Sequence, residues 1–208
     1  EADEKLEALK HYFGITYSKE LVIRGLETRR HDTPNFIKQF QTELLYTLFD
    51  CDNSEGIYDK TLEEALLCIT KTIDKVMTRE IELQDLVISK QLRMNIYNYR
   101  SIFPHVAAAI QLSNNERISR GDNIEYVYTD SQHQNPLSRV VPAQFIQNNG
   151  SLDYDKEKYR EMLLDASETV LAIFGFDRTL FGKPKHKKWW MQIRRNRISD
   201  VKAEINSC

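Results

Sequence analysis

Three cations, Lys90, Arg93 and Arg100, fall within Leu86–Asn115, thirty residues without an Asp or Glu. In a chain with 31 acidic residues among 208, a given window of thirty residues is free of acid about 1% of the time. A second concentration is sharper. Residues 183–197 hold seven Lys and Arg and no acid, which leaves 22 basic against 31 acidic residues elsewhere. The formal net charge of −2 conceals this segregation. Guanidinium and ammonium groups without neighbouring carboxylates bind phosphate, because each one that lands on a polyanion displaces a condensed counterion. A polyanionic partner is the first expectation.

Other chemistries find no footing. The five histidines lack H-x-x-x-H or H-E-x-x-H spacing, and Cys51, Cys68 and Cys208 are too few and too scattered for a zinc site or a disulfide framework. They read as filler. Gly175 to Lys183 has the outline of a phosphate-binding loop, but six residues separate Gly175 from Gly182, and Pro184 stands where a Ser or Thr would hold magnesium. Arg120-Gly121-Asp122 reads as a turn and Glu63-Glu64 as solvated helix surface. Nothing assembles a nucleophile, a base and an orienting partner. No apolar stretch nears the roughly 20 residues of a bilayer span, and Glu1-Ala2-Asp3-Glu4-Lys5 has no signal-peptide core. Cytoplasmic, reducing surroundings without a membrane are expected.

The elements that would carry these cations are legible in outline. His11–Ile15 and Glu20–Arg24 are β-rich runs around a polar turn at Ser18-Lys19. A lone hairpin is marginal in water, so its edges await later helices or, preferably, another polypeptide. Asp32-Thr33-Pro34 predicts a helix start with Pro34 at its first position, and Phe36, Ile37, Phe40, Leu44 and Leu48 form its apolar stripe. Asp50–Gly56 reads as a loop. Thr61-Leu62-Glu63-Glu64 fits a capping box that opens a second helix, with Leu62, Leu66, Ile69, Ile73 and Val76 inward. The two helices form an expected antiparallel pair. After the short apolar run Leu86-Val87-Ile88, Pro104 opens a compact helix, Gly121-Asp122 turns into a strand at Ile124–Tyr128, and Asn148-Asn149-Gly150 is a turn. Tyr159, Met162, Leu163, Ala166, Val170 and Ile173 mark a long helix that Gly175 caps.

Three segments, in order and together covering about residues 9–182, resemble the C-terminal third of archaeal family B DNA polymerases. Leu9-Lys10-His11-Tyr12-Phe13-Gly14 resembles the K-K-R-Y motif that ends the palm, with Lys10 and Tyr12 matching and Leu9 and His11 departing. Arg24-Gly25-Leu26-Glu27, with Arg30 and Asp32, resembles R-G-L-E-x-x-R-x-D at the passage from palm to thumb. Leu86-Val87-Ile88-Ser89-Lys90-Gln91-Leu92, then Tyr97 or Tyr99, Pro104-His105-Val106-Ala107 and Gly121-Asp122-Asn123-Ile124-Glu125-Tyr126-Val127, resembles the thumb signature.

The resemblance implies an α+β fold: a palm-end β-hairpin followed by a mainly helical thumb with a small strand region. It implies three parts: residues 1–32 as the end of the palm, completing a partner's sheet; 33–182 as the thumb; and 183–208 as a basic tail. It implies that Lys10 and Tyr12 lie along the minor groove, whose acceptors every correct base pair displays alike. Arg30, Lys90, Arg93 and Arg100 are then phosphate ligands, and His105 either contacts phosphate or caps its helix. Glu27 and Asp32 orient arginines or cap the helix.

No catalytic aspartates are expected on this chain. Tyr126-Val127-Tyr128-Thr129-Asp130-Ser131 is similar to the family's metal-holding Y-G-D-T-D-S turn, but Tyr128 replaces the first aspartate, and one carboxylate cannot bridge two metals. Magnesium is expected in the active site of a large partner subunit carrying exonuclease, fingers and catalytic palm. The chain then reads as the small subunit of a two-chain polymerase, holding primer–template DNA; a free-standing nucleic-acid-binding or assembly protein is the rival. The tail with Trp189-Trp190 lacks a clear sliding-clamp peptide and reads as an arm to DNA or to the other subunit.

Overall fold

Tyr159 gathers the fold around itself. In this computed structural model, which describes residues 12–49, 57–146, 152–176 and 178–181, its side chain is fully buried. The hydroxyl donates to the Leu86 carbonyl at 2.9 Å and accepts from the Tyr128 N–H at 3.0 Å. The rings of Phe36, Tyr128 and Tyr154 meet it edge-on at 5.8, 6.3 and 5.8 Å. A buried tyrosine needs its hydroxyl paired, and here the pairing joins segments more than seventy positions apart.

The chain opens, among described residues, with a hairpin of β1 (Tyr12–Ile15) and β2 (Leu21–Arg24), antiparallel, with Tyr12 opposite Arg24. Each strand has the other as its one partner among the described residues. Phe13 meets Phe49 edge-on at 6.2 Å, which ties the hairpin to the end of helix α1 (Asn35–Phe49). A 3-10 turn, Glu27–Arg29, leads into α1, whose Phe36, Ile37, Phe40, Leu44 and Leu45 are buried while Leu48 is half-buried. The first helical hydrogen bond runs from Lys38 N–H to the Pro34 carbonyl, so Pro34 sits just before the helix rather than at its first position.

Helix α2 (Ile57–Thr78) packs on α1. It begins four residues before Thr61, so the capping-box reading is corrected: Thr61 lies inside the helix and is buried. The inward stripe shifts with it to Ala65, Cys68, Ile69, Ile73 and Val76, leaving Leu62 and Leu66 half-buried. The expected loop before it and the expected turn at Asn148-Asn149-Gly150 lie outside the described residues.

A three-stranded antiparallel sheet, in the order β3 (Ile88–Gln91), β4 (Asn123–Tyr128), β5 (Val140–Pro142), follows. Helix α3 (Pro104–Leu112), with Pro104 in its first turn, lies across it and buries Val106, Ala107, Ala108, Ala109 and Leu112. The Gln111 amide donates to the Leu137 and Val140 carbonyls and pins this packing. After the single turn α4 (Ala143–Ile146), helix α5 (Lys156–Leu171) starts at Asp155, whose carboxylate accepts from the Lys158 N–H at 3.0 Å as an N-cap. The chain divides into two compact units, Glu1–Val170 and Leu171–Cys208. In the second, the 3-10 turn Ala172–Phe174 ends at Gly175, whose φ of 70° is the left-handed cap that glycine adopts without strain. The result is an α+β chain, with helices and two small sheets among the described residues.

Candidate nucleic-acid interface

Strand β3 places Lys90, the first of the candidate cations. Ile88 and Lys90 share one face, with Ile124 and Tyr126 as their cross-strand partners. Lys90, near the exposed end of that face, reaches Asp32 with its ammonium 3.7 Å from Oδ2. Arg30 binds the same carboxylate through two parallel bonds, Nε to Oδ1 at 3.0 Å and Nη2 to Oδ2 at 3.1 Å. Asp32 thus gathers two predicted phosphate ligands that stand sixty positions apart in sequence. Its hydrogen bond from Arg30, aided by the charges of Arg30 and Lys90, holds the carboxyl below the ordinary carboxylate range against partial burial. Both cations keep a large exposed fraction, 57% for Arg30 and 45% for Lys90. They are oriented without being covered.

Beyond β3, a turn clasps the chain. Leu92 and Arg120–Asp122 exchange backbone bonds, Gly121 N–H to Leu92 O and Leu92 N–H to Asp122 O, each 2.9 Å. Gly121 has φ 98°, a conformation that explains the glycine, and Asp122 Oδ2 accepts from the Ser119 N–H. The Arg-Gly-Asp tripeptide is a turn with a structural task.

Arg93 and Arg100 lie in the loop that follows, both exposed. The Arg93 N–H donates to the Tyr99 hydroxyl at 2.9 Å, so the loop is folded back on itself. The Tyr99 ring packs edge-on against Phe103 and His105, and Phe103 stacks on His105 with ring centroids 6.0 Å apart. His105 is buried in the first turn of α3, whose N-cap makes no side-chain hydrogen bond. Burial, then the charges of Lys90 and Arg93, lower its pKa, which makes it a neutral imidazole at pH 7. Tyr12 stands apart on the hairpin, partly exposed, with the Arg24 guanidinium 5.8 Å from its ring centroid. Lys10 and the tail from 183 to 208 lie outside the described residues.

Asp32 orients Arg30, as the resemblance implied, but two features escaped the sequence reading. Lys90 shares that carboxylate, a pairing no local pattern announces. Gln41, wholly buried, donates to Glu27 Oε2 at 2.7 Å and to the Ala166 carbonyl at 3.2 Å, and accepts from the Thr28 N–H at 3.0 Å. Thr169 completes the network by donating to Glu27 Oε1. Glu27 therefore fastens the 3-10 turn after the hairpin to α1 and α5. A glutamine on an otherwise apolar helix face was the available signal.

The described residues do not fit a catalytic magnesium pair. Asp130 accepts from the Gln132 N–H in its own turn, Asp155 binds Ser131 N–H besides capping α5, and Tyr128 is packed against Tyr126 and Tyr159. No group of three or more His, Cys, Asp or Glu comes together among the described residues. Cys68 is a buried thiol whose pKa burial pushes up to about 11, which makes it packing rather than a nucleophile. No helix among the described residues is long and apolar enough to cross a membrane.

Comparison with known proteins places the chain in a family. A DNA polymerase 1 of Aeropyrum pernix is 30% identical over 168 residues, covering 80% of this chain and 17% of the relative. A DNA polymerase of Pyrococcus horikoshii is 27% identical over 193 residues, covering 90% of this chain and 15% of the relative. The chain thus spans about one sixth of the length of these polymerases. The structure of the family B DNA polymerase from the archaeon Pyrobaculum calidifontis shares the fold, with a TM-score of 0.66, 20% identity, and coverage of 81% of this chain and 21% of that one. Residues 6–173 match the model of DNA polymerase family B, and the chain belongs to that family.

Proposed function

We propose that this chain is the end of the palm and the thumb of a two-chain family B DNA polymerase, and that it holds the primer–template duplex while the large subunit performs synthesis. The catalytic carboxylates and both magnesium ions belong to that partner, and this chain aligns the primer terminus by grip alone. Residues 1–32 complete the partner's sheet, 33–182 form the thumb, and the basic tail contacts DNA or the other subunit. Lys10 and Tyr12 follow the minor groove; Arg30, Lys90, Arg93 and Arg100 bind phosphates, with His105 beside them.

The observation that carries this reading is the exposure of Lys90, Arg93 and Arg100, on a stretch of sequence without Asp or Glu, in a chain of this family. Asp32 holds Arg30 and Lys90 in place until phosphate competes for them. Phosphate can displace the carboxylate at modest cost, because exposed ion pairs are individually weak. The hairpin, with one partner per strand among the described residues, supports a sheet continued by another polypeptide.

Primer extension with the large subunit, under conditions allowing one binding event per template, tests the reading. Replacing Lys90, Arg93 and Arg100 with Ala shortens the products before it slows nucleotide addition; unchanged product lengths refute the assignment. Size-exclusion chromatography with and without the large subunit separates this from a free-standing DNA-binding protein, which elutes unaltered.

A further inference from the structure

The loop between β3 and α3 carries an apolar surface that a phosphate grip does not explain. Nine large hydrophobic side chains are exposed among the described residues, and four of them, Met94, Tyr97, Ile102 and Phe103, fall within ten positions. Single exposed apolar residues are ordinary, whereas a concentration of them marks a binding surface. Tyr97 is 84% exposed and Phe103 50%.

This surface is held in shape. Ile96 is buried beneath the turn, Asn95 Oδ1 accepts from the Tyr97 N–H, and the Arg93–Tyr99 bond closes the loop on the rings of Phe103 and His105. A preformed loop spares the ordering cost of binding. Its charged neighbours are Arg93 and Arg100, and no acid occurs from Leu86 to Asn115. The complementary partner is an anion with flat apolar faces.

A duplex does not present such faces along its length, because its bases are stacked on each other. Unpaired nucleotides do: every base has a π-face, and aromatic platforms beside a basic track are the general means of holding single strands. We infer that the Arg93–Phe103 loop is a binding site for unpaired nucleotides, which stacks a base on Tyr97 while Arg93 and Arg100 take the flanking phosphates. The inference rests on the proposed role in DNA binding and adds a second substrate class to it, a strand end or overhang leaving the duplex.

Fluorescence anisotropy of the full chain with a labelled oligothymidylate of about ten nucleotides, and with a blunt duplex of similar length, tests this. Thymidylate is chosen because it forms no stable stack of its own. Tyr97→Ala is expected to weaken oligothymidylate binding about five- to a hundredfold and duplex binding less than about twofold, while Tyr97→Phe stays near wild type. A 5-iodouracil-bearing oligonucleotide is expected to photocrosslink to Tyr97. The exposed position of Tyr97 keeps the variants folded, and circular dichroism verifies it.

Oligothymidylate binding untouched by Tyr97→Ala overturns the inference, as does an equal loss for both ligands. A Tyr97-dependent dimer with no effect on oligothymidylate also overturns it and reassigns the patch to protein contact. Duplex binding without any oligothymidylate binding sinks this inference and leaves the duplex grip standing. Oligothymidylate binding without duplex binding does the reverse.

Discussion

Gln41→Leu is the sharpest test of how helices α1 and α5 are fastened to the turn that follows the hairpin. The substitution keeps side-chain volume and helix propensity close to the original, so its cost reports hydrogen bonding rather than a cavity. Three partners lose Gln41: the Glu27 carboxylate, the Thr28 N–H and the Ala166 carbonyl. A buried polar group left unpaired costs about 1–3 kcal/mol. Ala166, inside α5, is placed to keep a helical bond, and Glu27 keeps Thr169. The main losses are then the Thr28 amide and half the pairing of Glu27, about 2–4 kcal/mol together. For a domain of this size that lowers Tm by about 5–15 °C. Urea unfolding of the full chain should show a lower midpoint with an unchanged slope. Gln41→Glu, which sets a carboxylate against Glu27, is expected to cost more, and adding Glu27→Gln is expected to recover more than half of that loss. A Gln41→Leu variant within about 0.5 kcal/mol of wild type refutes the fastening role.

The electrostatics of the site yield two further predictions. His105 titrates in NMR below the ordinary value of about 6.5, because burial and the charges of Lys90 and Arg93 disfavour its proton. With the folded pKa depressed, its stabilising contribution is full above about 6.5 and fades as pH falls through the folded value. Duplex DNA that neutralises Lys90 and Arg93 raises the midpoint, and a midpoint indifferent to DNA contradicts phosphate contact there. Asp32→Asn frees Arg30 and Lys90 from their shared carboxylate, so duplex affinity rises at low salt and the log–log salt slope steepens by about 1. The wild-type pair is lost only in acid, as pH falls below the ordinary carboxylate value of about 3.9 and through the lowered one.

What was legible in the sequence was local. The stripe Phe36–Leu44, the Pro104 start, the turn at Gly121 and the cap at Gly175 each depend on residues within a turn or two of one another. The Thr61 box misled because Thr and Glu are also tolerated inside helices, and no Gly or Pro among residues 57–60 interrupts the helical pattern ahead of it. Strand β3 was invisible as a strand because four residues become one only by pairing with β4, over thirty positions on. The candidate cations were singled out by the absence of acid around them in sequence. Their common anchor, Asp32, required the fold to bring it to Lys90.

The salt dependence of duplex binding tests the central claim most directly. About five phosphate contacts imply a slope of log affinity against log salt near −4 to −5. Replacing Lys90, Arg93 and Arg100 with Ala should flatten that slope by between 2 and 3 units, at about 0.9 per contact, with the unfolding midpoint little changed. A triple variant that keeps the wild-type slope contradicts the assignment of this loop as the DNA grip.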